Sequence, residues 1–136
     1  MDIHEVFNDS YARCTRNQHF FIIFYELFWQ KGNKFRQMFT GVDMQKQIKM
    51  LKASIIIILL ATTSEAARDS VRVFGKRHGP DGIGATPLDY DIWLDCLLEA
   101  ACICDPNYNP AVEQAWRECF SRGIAIMKEE STGNAP

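Results

Sequence analysis

Residues 43–62 read DMQKQIKMLKASIIIILLAT, and the fold class turns on whether this stretch is helix or strand. Its second half, Ile55 to Leu60, is an unbroken apolar run that opens with four isoleucines, and β-branched runs suit strands. The flanking pattern decides against that. Gln47, Leu51, Ser54, Ile55 and Ile58 recur at spacings of three and four, which lines one face of a helix. Asp43 stands where a helix start wants a side-chain acceptor. The stretch is therefore read as a helix from about Asp43 to Thr62. A helix apolar all round in its second half is expected to be buried on most sides.

The same period extends outward in both directions. Val6, Phe7, Tyr11 and Cys14 predict a helix over Ile3–Thr15. The aromatic series Phe20, Phe21, Phe24, Tyr25, Phe28 and Trp29 predicts a second over Gln18–Lys31, and a short segment follows over Lys34–Phe39. Beyond residue 62, Val71, Phe74 and His78 share a face of a helix over Ser64–His78 that stops at Gly79-Pro80-Asp81-Gly82. Thr86 and Pro87 look like an N-cap and a first helical residue. They open a helix over Pro87–Cys104 carrying Tyr90, Trp93, Leu94, Leu97 and Leu98. A last helix is expected over Pro110–Lys128, with Val112, Ala115, Trp116, Cys119, Phe120, Gly123, Ile124 and Met127 inward. None of the 5 prolines precedes residue 80. No internal repeat and no apolar/polar alternation argues for a sheet. The expectation is an all-α chain of six to seven helices in one domain over residues 1–130, with a frayed tail over 131–136.

Composition agrees with one such domain. The 136 residues are 47% hydrophobic and 24% charged, ordinary globular usage. A chain of this length buries roughly two-thirds of its unfolded surface, so it needs no staple. The net charge of -2 gives no electrostatic case for nucleic acid or an anionic membrane. The run Ile55–Ala61 is too short to span a bilayer, which takes about 20 residues. The N-terminus lacks the basic start and apolar run of a signal peptide. The 5 cysteines form no Cys-x-x-Cys motif and mostly sit among apolar neighbours. They read as buried free thiols in a reducing cytoplasm.

Few residues carry chemistry. Asp91, Asp95 and Glu99 recur every fourth residue and read as a solvated stripe; without a histidine nearby they make a poor metal site. The lysines and arginines between Lys31 and Lys52 read as a mildly basic solvated face. No nucleophile elbow or phosphate-cradling loop occurs. Of the 3 histidines, His4 and His19 sit among polar residues near helix starts. His78 continues the apolar face of Val71 and Phe74. On spacing alone it is either a core histidine or a ligand. A helical bundle with one inward histidine, and with a tyrosine set among phenylalanines, is a reasonable host for haem.

The ordered set of motifs resembles that of bacterial single-domain globins and is similar to the haem domain of flavohaemoglobins. Phe24-Tyr25 with Phe39 fourteen residues on resembles that family's second helix and corner. Asp43 to Gln47 with Leu51 resembles the start of its distal helix. Gly75-Lys76-Arg77-His78, then Gly82-Ile83 and Pro87-x-x-Tyr90, resembles its proximal segment, and Ala115-Trp116 its last helix. The resemblance spans about residues 3 to 128 and implies a globin fold, three helices over three around haem b. It implies His78 as the proximal iron ligand, with Tyr90 nearby. Phe39 would stack on the porphyrin, Phe74 and Ile83 would touch its proximal face and edge, and Leu51 would sit above the iron. Tyr25 would point its hydroxyl at the gas ligand, Gln47 would replace the usual distal histidine, and Trp93 would be a further distal residue. The family's last-helix glutamate, which supports the proximal histidine, has no counterpart in register; Glu129 and Glu130 lie nearby.

Physical magnitudes suit these roles. Burying a porphyrin removes hundreds of Å² of apolar surface, at about 25 cal/mol per Å². Dioxygen held at ferrous iron takes partial negative charge, so a hydroxyl or amide donated to it in a dry pocket contributes roughly 1–3 kcal/mol. Carbon monoxide, being less polar, gains less. The expected function is reversible binding of dioxygen, carbon monoxide or nitric oxide, for oxygen storage or transport. With a separate reductase it would be nitric oxide detoxification by dioxygenation. The protein would act as a monomer or homodimer. The alternative is a gas sensor or regulatory module acting through a partner, with or without haem; a third reading is a plain helical interaction domain.

Overall fold

The computed structural model describes residues 2–79 and 84–131. Among them run seven helices and no strand: α1 Ile3–Thr15, α2 Phe20–Trp29, α3 Asn33–Met38, α4 Met44–Leu60, α5 Glu65–His78, α6 Pro87–Cys104 and α7 Pro110–Ser131. The largest departure from the sequence reading is at the end of α7, which continues through Ser131 rather than stopping at Lys128.

The helix starts follow from local chemistry. Asp43 Oδ1 accepts from the backbone N–H of Gln45 at 3.0 Å, and Ser64 Oγ from that of Ala67 at 3.1 Å. Asn109 Oδ1 takes the N–H of Val112 at 2.9 Å ahead of α7. At α6 the cap runs backwards: Asp89 Oδ2 accepts from Thr86 N at 2.8 Å. That is the returning half of a capping box, with Pro87 in the first turn.

Two compact units divide the chain, one built on Met1–Thr40 and Ile92–Cys119, the other on Gly41–Asp91 and Phe120–Pro136. The first unit is aromatic. Phe7 meets Trp116 edge-on at 4.8 Å between ring centroids, and Phe20 meets Phe21 at 4.9 Å. Beneath these rings lies a polar chain. Trp116 Nε1 donates to Ser10 Oγ at 2.9 Å, and Ser10 donates to Asp105 Oδ2 at 2.6 Å. Arg13 forks onto the same carboxylate at 2.6 and 3.0 Å. Asp105 thus ties the corner after α6 to α1. Burial pushes its carboxyl upward, but hydrogen bonds from Arg13, Ser10 and the Asn107 N–H outweigh that and hold it below the ordinary aspartate value.

The second unit is aliphatic, with Leu51, Ile55, Ile58, Val71, Ile124 and Met127 buried. Here one expectation fails. The apolar run of α4 is not buried on most sides: Ile55 and Ile58 are enclosed, but Ile56 and Leu60 are 55% and 49% exposed, and Met50 62%. Successive helical residues are rotated by about 100°, so six consecutive apolar residues must occupy every face, and only one face is packed.

The thiols also depart from expectation. All five are free, yet only Cys14, Cys96 and Cys119 are buried; Cys104 is half-buried and Cys102 exposed. The acidic stripe is solvated as read, with Asp95 facing Arg117 at 3.2 Å and Asp91 facing Lys128 at 2.7 Å. No helix among the described residues is long and apolar enough to cross a membrane.

Candidate functional site

His78 is the last residue of α5 and is half-buried. Its ring Nδ1 lies 2.6 Å from the carbonyl oxygen of Phe74, one turn earlier. A carbonyl can only accept, so Nδ1 carries a proton, and in the neutral ring the lone pair is left on Nε2. That is the tautomer a metal-ligating imidazole needs, with its other nitrogen oriented by a backbone acceptor.

The rest of α5's end is fixed from outside the helix. The last carbonyls of a helix have no partner within it. Here His78 O accepts from Ala85 N at 2.6 Å, and Lys76 O from Gly79 N at 3.4 Å. Gly75 O accepts from the Ser131 hydroxyl at 3.1 Å. Ser131 Oγ is bonded in turn to Tyr90 Oη. Burial raises the Tyr90 phenol above its ordinary value, and the nearby Asp89 carboxylate reinforces the shift.

Still in the second unit, Gln47 and Leu51 lie one turn apart on α4, Gln47 half-buried and Leu51 buried. Phe74 is half-buried. Ile83, expected at the porphyrin edge, lies outside the described residues.

In the first unit Tyr25 is 3% exposed. Its ring meets Phe39 edge-on at 5.3 Å and stacks on Trp29 at 5.9 Å. Phe24 sits between Tyr25, at 5.0 Å, and Trp93, at 5.9 Å. Tyr25, Phe39 and Trp93, chosen from separate segments, therefore belong to one aromatic cluster.

Sequence reasoning missed two residues. Trp29 Nε1 is buried without a hydrogen-bond partner among the described residues; its position four residues after Tyr25 was the available signal. Ser131 was missed because the last helix was ended too soon. Continuing the inward series Phe120, Ile124, Met127 by one more turn lands on it.

Among the described residues no group of three or more His, Cys, Asp or Glu side chains could share a metal ion. His78 brings a single imidazole. That donor set does not suit a bare ion, which needs several protein ligands. It fits a metal that arrives with its own equatorial nitrogens, as iron does in haem.

No protein-family model and no curated protein sequence matches the chain. Among solved structures, the chain is similar to a Pseudomonas aeruginosa PAO1 protein described as structurally highly homologous to a human hemoglobin. The two share 30% identity and a TM-score of 0.88, over 96% of this chain and 98% of that one.

Proposed function

The chain belongs to the globin family, and from that premise we propose that it is a haem protein that reversibly binds a diatomic gas. The observation that carries this reading is the His78 imidazole, whose Nδ1 is committed to Phe74 O, leaving Nε2 to hold an iron. Haem b would supply an iron centre able to bind one small gas molecule. Phe39, Leu51, Phe74, Ile83 and Tyr90 are the residues we assign to holding the ring. Tyr25, Gln47 and Trp93 are assigned to the gas side, where the first two would donate hydrogen bonds to a polar diatomic ligand and the third would limit its space. The motif likeness to flavohaemoglobin haem domains supports this assignment, as one globin domain over the expected residues 1–130 that extends to take in Ser131 at the end of α7.

Storage or transport of dioxygen is the role the chain's own residues favour. The partner of His78 is a neutral carbonyl rather than a carboxylate, so the imidazole donates less electron density than an anionic partner would evoke. That suits reversible binding better than oxidative turnover. Nitric oxide detoxification would need a separate reductase. The test is an absorption spectrum of the purified chain in ferric, ferrous and carbonmonoxy states, beside His78→Ala. A Soret band that moves on reduction and with carbon monoxide, and is lost in the variant, is expected. A wild-type chain without any such band after haem reconstitution would leave a haem-free regulatory module as the reading.

A further inference from the structure

The end of α7 lies against the last turn of α5 more closely than side chains normally permit. A Cβ placed on Gly75 would come within 2.7 Å of Glu130 Cβ and 3.3 Å of Met127 O; one on Gly79 would come within 3.2 Å of Ser131 Cα. The two glycines lie four residues apart, on one face of the turn that carries His78. Their missing side chains bring Ser131, only 2% exposed, within reach of a helix-end carbonyl.

We propose that Ser131 is a positioning residue for His78. The Ser131 hydroxyl spends its one proton on Gly75 O, so in the bond between Ser131 and Tyr90 the phenol must be the donor. The relay Tyr90–Ser131–Gly75 therefore runs in one direction and uses the single proton of each hydroxyl. It caps an end carbonyl of α5 from α7, while α6 supplies the donor behind it. His78 is oriented by Phe74 O, in the same helical turn that the relay clamps. Where a carboxylate would act on the imidazole itself, the serine acts on the backbone beneath it. It fixes direction without adding charge. The consequence for His78 Nε2 as an iron donor rests on the haem reading above; the clamp on the α5 backbone does not.

Ser131→Ala and Tyr90→Phe, singly and together, separate the two. In the haem-free protein, amide hydrogen exchange at residues 76–79 is expected to quicken about tenfold in Ser131→Ala. Exchange in α1 should stay unchanged, and the double variant should be no faster than Ser131→Ala alone. In the haem-loaded ferrous protein, the iron–histidine stretching band is expected to broaden or shift in Ser131→Ala. The proposal is overturned if exchange at 76–79 is unaltered, if it quickens only in step with α1, or if the stretching band of Ser131→Ala matches wild type. If wild type takes up no haem, the gas-binding reading fails, while the exchange result still decides whether the clamp exists.

Discussion

The Tyr25 hydroxyl and the Asp105 carboxylate make the most specific claims of any single side chains. If Tyr25 donates to a polar ligand, Tyr25→Phe should speed dioxygen release roughly 10- to 100-fold and carbon monoxide release less, since 1.4 kcal/mol is about a factor of ten. Stopped-flow ligand replacement reads both rates, and an unchanged dioxygen rate removes Tyr25 from the gas side. Asp105 has its carboxyl held below the ordinary 3.8, so protonation is harder in the folded chain than in the unfolded one. The stability it contributes is complete above the unfolded value and is lost as pH falls through the folded one. Asp105→Asn should therefore cost about 1.5–3 kcal/mol at neutral pH and progressively less below about pH 4. Urea melts at a series of pH values would show the two curves converging; a constant gap would refute the ion pair. At this scale the sequence was only partly legible. The face of His78 and the tyrosine among phenylalanines could be read from spacing. The carbonyl that orients His78 could not, because it is backbone. Nor could the Ser10–Asp105–Arg13 chain, in which Asp105 lies more than ninety residues from both of its partners.

Helix boundaries were the most legible feature, because caps and breakers are local. Asp43, Ser64 and Pro87 each stand where the pattern put a helix start. Asp43→Ala, which leaves the first N–H groups of α4 without their acceptor, should cost about 1 kcal/mol. The pattern placed Ile55 and Ile58 on the face of Leu51, and all three are buried; what it misjudged was the rest of the run, since a stretch that is apolar at every position gives no sign of which faces stay open. The run in α4 supplies the measurement. Ile55→Ala, at 0% exposure, should cost roughly 2–5 kcal/mol. Ile56→Ala, at 55%, should stay within about 0.5 kcal/mol of wild type. Equal losses in a denaturant titration would mean that the outer face of α4 is covered in solution.

For the molecule as a whole, five free thiols offer a map of accessibility. Burial pushes the Cys14 thiol up to about 12 and those of Cys96 and Cys119 to about 11. The thiolate is the nucleophile, so these three should resist alkylation in the native state. Exposed Cys102 should react with iodoacetamide first, as peptide mass mapping would show; rapid labelling of Cys14 would contradict the fold of the first unit. The helical class was legible at this scale because proline, glycine and period all point one way. The partition of the chain was not: α6 and α7 each contribute to both units, and nothing in a linear pattern marks a helix that serves two cores. The exposed apolar residues of α4, Met50, Ile56 and Leu60, have one more consequence. While the helix holds, the backbone of Ile55–Leu60 bonds within itself. Unwound, the same six residues carry no charge, proline or glycine, the profile of segments that stack edge to edge into fibrils. Refolding yield should thus fall as protein concentration rises, and a single lysine at Ile56 should restore it without loosening the native chain.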